Sequence, residues 1–168
     1  MNMKKHMLVL IAIAAIMLAV GCVSSGSENA ASKNTASPSA DSSQAASADD
    51  QWLQHVTKYS PMLTADINDF SSASNSSDYT LMATDGQKIV DDTQVALDEN
   101  SKITVSSKYQ EAQKEWTAGL QDCNSAGKYI VLAANDAKAG NDSTENSQKA
   151  ASLMISGGNH LNKASDLI

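Results

Sequence analysis

The sequence contains no arginine, a single phenylalanine, and only two residues each of cysteine, proline and tryptophan. Its 168 residues include 12 lysines and 19 acidic residues, for a formal net charge of −7. Because nucleic-acid phosphates are bound by clustered positive charge, this balance argues against a nucleic-acid partner. Two cysteines are too few for a disulfide framework or a four-cysteine metal site. The length fits one ordinary domain.

Residues 1–21 have the pattern of a secretory signal peptide. Lys4 and Lys5 precede an unbroken apolar run over residues 7–20, MLVLIAIAAIMLAV. A charged start followed by a short apolar segment is typical of such a signal. The run is shorter than the roughly 20 apolar residues of a membrane-spanning helix. A plain cleaved signal and an uncleaved anchor are the alternatives to the lipoprotein signal described next.

The apolar run ends in Leu18-Ala19-Val20-Gly21-Cys22. This ending resembles the lipobox of archaeal and bacterial membrane lipoproteins, although Ala19 stands where leucine is commoner. The resemblance implies that Cys22 carries lipid and becomes the mature N-terminus. The expected location is the cell membrane, with the protein lipid-anchored and facing outside or into the periplasm. The membrane is then one partner, and another envelope protein is the second candidate.

Residues 22–50 comprise Cys22 and a Ser/Ala-rich tether. Nine of the residues 23–50 are serine and seven are alanine, and Val23 is the only large apolar residue among them. Such a segment buries too little apolar surface to offset the entropy of ordering it, so we expect disorder. A flexible coil of this length spans on the order of 30 Å. The tether would therefore act as a spacer between the membrane and a folded domain.

Residues 51–168 are predicted to form an all-α, up-down four-helix bundle. Apolar residues recur at helical spacing over about 50–70, 78–98, 105–140 and 142–168. The third segment has the strongest pattern, with alternating spacings of four and three, and it is expected to be the longest helix. Short loops place consecutive helices antiparallel. A three-helix arrangement with a loose first segment is the alternative.

Pro61 and a polar loop are the breaks expected around the first segment. The helix either kinks at Pro61 or restarts there, with Ser60 as the cap. Residues 71–77 are rich in serine and asparagine and are predicted to form a loop.

Trp52, His55, Tyr59, Gly157 and His160 form a candidate ligand pole. In an up-down bundle the start of the first helix and the end of the fourth share one end. The heights of the two histidines would then differ by about 5 Å. A glycine pair beginning at Gly157 interrupts the fourth helix, which indicates either close helix packing or a ligand groove. Two histidines alone do not make a metal site, and none is predicted.

Three further residues are candidates for modification or reactivity. Cys123 lies on the apolar stripe of the third segment and is predicted to be a small core residue, since a reactive thiol needs exposure and a nearby cation. Asn75 and Asn141 stand in Asn-x-Ser patterns within predicted loops. They are candidate N-glycosylation sites.

No catalytic motif appears in the sequence. It has no nucleophile elbow, phosphate loop or dinucleotide fingerprint, and no haem or di-iron ligand pattern. We therefore expect a non-enzymatic domain without a cofactor, serving interaction or envelope structure. The alternative is a small-ligand-binding or sensory four-helix module on the cell surface.

The runs AGLQDCNSAGKYI (residues 118–130) and SGGNHLNKASDLI (residues 156–168) resemble a loose group of small helical lipoproteins from archaea and bacteria. The resemblance rests on the overall pattern and covers most of the chain. It implies a surface location and an all-α fold. It supplies no active-site residues.

Overall fold

The structure is a computed structural model that describes residues 40–168, with side chains described from residue 47 onward. The predicted signal peptide, Cys22 and the first part of the predicted tether lie outside the described residues. Over residues 40–168 the chain forms four helices: α1 (Ala40–Asn75), α2 (Tyr79–Asn100), α3 (Gln110–Lys138) and α4 (Thr144–Asp166). The predicted all-α four-helix fold is confirmed.

Consecutive helices run antiparallel, in up-down order. Between α1 and α2, Trp52 contacts Asn100 whereas Asp66 contacts Lys88, so residue numbers rise along one helix as they fall along the other. The same order holds from α2 to α3 (Asn100 with Thr117, Thr93 with Asn124) and from α3 to α4 (Glu115 with His160, Asp136 with Asn146).

α1 extends beyond its predicted bounds at both ends. It begins at Ala40, within the predicted tether, and passes through Pro61 without restarting. Pro61 lies on the exposed side of the helix, where water can bond the carbonyl group that loses its helical partner. The hydroxyl of Ser60, the expected cap, instead donates to the carbonyl of Val56. At 36 residues and about 54 Å, α1 rather than α3 is the longest helix.

The predicted loop over residues 71–77 is helical as far as Asn75. Ala73 and Ser74 are buried there, so tertiary packing outweighs the weak helix propensity of the serines. The hydroxyl of Ser72 also donates to the carbonyl of Asn68 within the helix. The true connection is short and leads to Asp78, whose carboxylate caps α2 by accepting from the amides of Thr80 and Leu81.

The connection between α2 and α3 takes in the start of the predicted third helix. Val105 and Tyr109 are both buried, in keeping with the apolar stripe that included them. They nevertheless precede α3, which begins at Gln110. The connection folds over the end of the bundle. Because Val105 and Tyr109 are buried there, they extend the apolar spacing of α3 although they are not helical.

Glycines set the spacing between α2, α3 and α4. A Cβ atom on Gly127 would lie 2.8 Å from the carbonyl oxygen of Gly86, which faces it from α2. A Cβ atom on Gly157 would lie 3.1 Å from the carbonyl oxygen of Gly119. The backbones therefore approach more closely than any side chain would allow, and close packing explains these four glycines.

α1 packs at a greater distance and through large side chains. In residues 40–168, no Cα atom of α1 comes within 8 Å of one in α3 or α4. Its buried face instead carries Trp52, Tyr59, Leu63 and Phe70. The core is thus narrow along α3 and wide beside α1.

We expect Gly127→Ala to destabilise the fold more than Gly119→Ala. Both changes gain about 1 kcal/mol of helix propensity. At Gly127 the new methyl group would lie 2.8 Å from the carbonyl oxygen of Gly86, whereas at Gly119 the nearest backbone atom, the carbonyl oxygen of Gly157, is 3.1 Å away and the closer atoms belong to the side chain of Leu161, which can rotate. A net loss of about 1–3 kcal/mol is expected for Gly127→Ala in urea unfolding. Equal losses for the two variants, or a stabilised Gly127→Ala, would contradict this account.

Candidate functional site

Trp52 marks the end of the bundle where α1 enters it. Its indole nitrogen donates to the side-chain oxygen of Asn100 at 3.0 Å, and its ring lies 5.6 Å from that of Tyr109. Nearby, the carboxylate of Asp49 accepts from the amide and the hydroxyl of Ser106, both at 2.7 Å. We call this end, with the α2–α3 connection and the last turns of α4, the Trp52 pole.

Asn100 is the centre of a buried hydrogen-bond network at this pole. Its side chain is almost fully buried and accepts from Trp52, while its amide donates to the hydroxyl of Thr117 at 2.8 Å. The side-chain amide of Gln113 donates to the carbonyl of Ile103 at 2.8 Å and lies against Asn100. One side chain thereby ties α1, α2 and α3 together. No pattern in the sequence singles out Asn100, because its partners are distant in sequence.

His55 lies buried between α1, α2 and α3. Its ring is 4.7 Å from that of Tyr59 and 6.1 Å from that of Trp116, which meets it edge-on. Neither ring nitrogen makes a hydrogen bond, and the nearest charge is the carboxylate of Glu99, 3.8 Å from Nδ1. Burial lowers the pKa of His55, and the opposing effect of Glu99 is smaller. The ring is therefore neutral at neutral pH.

Tyr59 belongs to a polar cluster with Lys58 and Glu99. The ammonium group of Lys58 donates to the phenolic oxygen at 2.9 Å and to the Glu99 carboxylate at 3.1 Å. Hydrogen bonds from Tyr59 and Lys58 hold the pKa of Glu99 below its usual range. The polar tip of Tyr59 is thus already engaged by neighbouring protein groups.

His160 belongs to a different cluster, between α3 and α4. Its Nδ1 atom is 2.6 Å from one oxygen of Glu115, and Lys163 donates to the other oxygen at 2.5 Å. The side chain of Glu115 is 8% exposed and that of His160 is 39% exposed. Lys163, and then His160, hold the pKa of Glu115 below its usual range. The side of the imidazole that does not face Glu115 is open to solvent.

The two histidines lie at neighbouring levels of α3 but face different groups. His55 contacts Trp116, and His160 pairs with the adjacent Glu115. The similar heights predicted for them follow from the up-down order. Consecutive residues of a helix point about 100° apart, so the two clusters lie on different faces of α3.

Gly157 faces α3 and not an open groove. The sulfur of Cys123 lies 2.9 Å from the position of a Cβ atom on Gly157. Cys123 is fully buried and free, and burial raises the pKa of its thiol to about 12, so the thiol stays protonated and inert. The prediction that Cys123 is a small core residue is confirmed. A ligand pole built from Trp52, His55, Tyr59, Gly157 and His160 stays a prediction.

Asn75 and Asn141 both lie at the end opposite the Trp52 pole. Asn75 is the last residue of α1, and Asn141 lies in the α3–α4 connection just after Gly140, which adopts a φ of +75°. Both asparagines are exposed. Their glycosylation stays a prediction.

We expect the stability of the protein to fall on acidification from pH 7.5 to 5.5, in part through His55. The unfolded state binds a proton near pH 6.5, whereas burial lowers the pKa in the folded state. The free energy of unfolding therefore decreases as the pH falls below about 6.5. His55→Phe keeps an aromatic ring beside Tyr59 and Trp116 but cannot titrate. Denaturant unfolding at both pH values should show a smaller loss in the variant, and an equal loss would exclude His55 as the cause.

Among residues 40–168, no three histidine, cysteine or acidic side chains are grouped so that they could hold a metal ion. None of the four described helices is long and apolar enough to span a bilayer. No protein-family model, curated protein or solved structure matches the chain.

Proposed function

We propose that the protein is a surface lipoprotein whose helical bundle serves interaction or envelope structure and is not an enzyme. The observation that carries the proposal is the start of the sequence. Lys4 and Lys5 are followed by the apolar run over residues 7–20 and then by Gly21 and Cys22. A lipid on Cys22 would hold the chain at the membrane, because two or three acyl chains anchor stably.

The geometry of α1 is consistent with attachment at a single end. The chain enters the bundle at the Trp52 pole, after about 18 Å of helix from Ala40 to Trp52. Residues 40–50 of the predicted tether are therefore part of α1. The opposite end, with Asn75 and Asn141, would face away from the membrane.

The polar clusters of the bundle support a role without catalysis. The carboxylates of Glu99 and Glu115 are held in ion pairs with Lys58 and Lys163. The thiol of Cys123 is buried and protonated. A catalytic acid, base or nucleophile needs a pKa suited to its task and access to a substrate, and these groups are occupied by structural contacts.

A small-ligand-binding or sensory module is the second candidate function. It is favoured by buried nitrogen atoms without hydrogen-bond partners, namely both ring nitrogens of His55 and the indole nitrogen of Trp116. Because unpartnered buried polar atoms cost free energy, a small polar molecule that reached these nitrogen atoms would stabilise the fold.

Replacing Cys22 tests the anchor. In the native host, we expect the wild-type protein to incorporate labelled palmitate and to sediment with membranes, and Cys22→Ala to lose both properties. Cys123→Ala is the matched control, because it removes the other cysteine and should keep the label. Unchanged labelling and sedimentation of Cys22→Ala would overturn the lipoprotein proposal.

Cross-linking on intact cells tests the role of the bundle. A photo-reactive residue placed at Asn75 should capture an envelope component when the protein is anchored. The same residue in the Cys22→Ala background should not, since that chain would leave the membrane. Equal capture by both forms, or robust turnover of a substrate by the purified protein, would contradict a surface interaction module.

A further inference from the structure

A groove of about 510 Å³ runs between the C-terminal half of α2 and the N-terminal half of α3. The α2–α3 connection closes it at the Trp52 pole, where Ser101 and Ile103 contribute to its wall. Its volume lies within the roughly 300–1,000 Å³ that is typical of small-molecule sites. None of the residues of the predicted ligand pole lines it.

The base of the groove is held in place by the Asn100 network. Asn100 is 4% exposed, and its side chain is fixed by Trp52 and Thr117. The amide of Gln113 is oriented by its bond to the carbonyl of Ile103. The side-chain oxygen of Gln113 accepts no hydrogen bond from the described residues. The base therefore presents polar groups whose positions are set before any ligand arrives.

The rim carries polar side chains that the protein itself leaves unbonded. Gln110 and Gln121 are exposed, and within residues 40–168 their carboxamides have no hydrogen-bond partner. Lys114 is the one charged residue of the lining and is likewise without an ion pair in the described chain. Gln94, on the α2 side, is bonded to Asp98.

This lining matches a ligand rich in hydroxyl groups. Carboxamides and hydroxyls both donate and accept hydrogen bonds, as sugar hydroxyls do. Leu97 and Ile103 add apolar surface suited to the C–H face of a sugar ring. An apolar ligand would displace water from the side-chain amides without replacing the hydrogen bonds that the water makes. A strongly anionic ligand would find only one positively charged side chain in the groove, that of Lys114. We propose that the groove binds a neutral oligosaccharide.

This inference adds a ligand to the proposed surface location. It rests on that location only for the source of the sugar. If the bundle stands outside the membrane, the ligand is a glycan of the cell envelope. An extended peptide also carries amides, but peptides usually dock on a sheet edge or insert apolar side chains into pockets. Since the groove has a helix on either side and few apolar residues, a sugar fits it better.

Titration of the isotope-labelled full chain with chitotriose and maltotriose tests the proposal. Saturable shifts are expected for the side-chain amide resonances of Gln110, Gln113 and Gln121 with at least one sugar. The double variant Gln110→Ala/Gln121→Ala should bind about fivefold more weakly, as expected for the loss of two exposed hydrogen bonds. Gln148→Ala, an exposed glutamine of α4, is the matched control and should bind as the wild type does.

Four results would overturn the inference. One is the absence of saturable shifts with either sugar at about 10 mM, which is tenfold above the Kd of a 4 kcal/mol interaction. The others are equal affinity in the double variant, tighter binding of an anionic trisaccharide such as trigalacturonate than of either neutral sugar, which would indicate an anionic ligand, and tighter binding of an unstructured Gly-Ser peptide. None of these results bears on the Cys22 anchor, so the two proposals can fail separately.

Discussion

The fold depends on the close approach of α3 to α2 on one side and to α4 on the other. Gly86, Gly127, Gly119 and Gly157 remove the side chains that would hold these backbones apart. Since both contacts fall on α3, it becomes the central helix, and its buried residues can be mostly small. The wider part of the core lies beside α1, and it is filled by aromatic and aliphatic side chains of α1 such as Trp52 and Phe70.

Small residues pack closely but specify alignment poorly, because one alanine or glycine can replace another after a slip of one turn. Buried polar pairs supply the alignment that the small residues lack. Asn124 donates to the hydroxyl of Thr93 at 3.0 Å and to the carbonyl of Val90 at 2.9 Å, which fixes α3 on α2. Trp52 with Asn100 does the same for α1 on α2. A shift along either interface would leave these groups buried without partners.

Helical periodicity was sufficient to predict the number of helices, and the short loops predicted their antiparallel order. The Ser/Asn-rich composition of residues 71–75 predicted a loop, but the segment is helical, with Ala73 and Ser74 buried. The apolar spacing at Val105 and Tyr109 predicted a helix, but these residues belong to a buried connection. The polar clusters were harder to predict from the sequence. The heights of His55 and His160 followed from topology, but their partners Glu99 and Glu115 depend on helix rotation, which spacing alone does not determine. Gln110, Gln113, Thr117 and Gln121 do recur at helical spacing, yet only the structure shows that the facing surface of α2 is also polar.

The unbroken course of α1 has a mechanical consequence. A pull on the N-terminal side of the bundle is carried along a stiff helix into the Trp52 pole, without a hinge in between. The contacts nearest to that entry point are those of Asp49 with Ser106 and of Trp52 with Asn100. Because Asn100 also forms the base of the α2–α3 groove, tension on the chain would strain the groove before it disturbed the glycine-packed helices. Ligand affinity and mechanical load would then be coupled at a single buried asparagine.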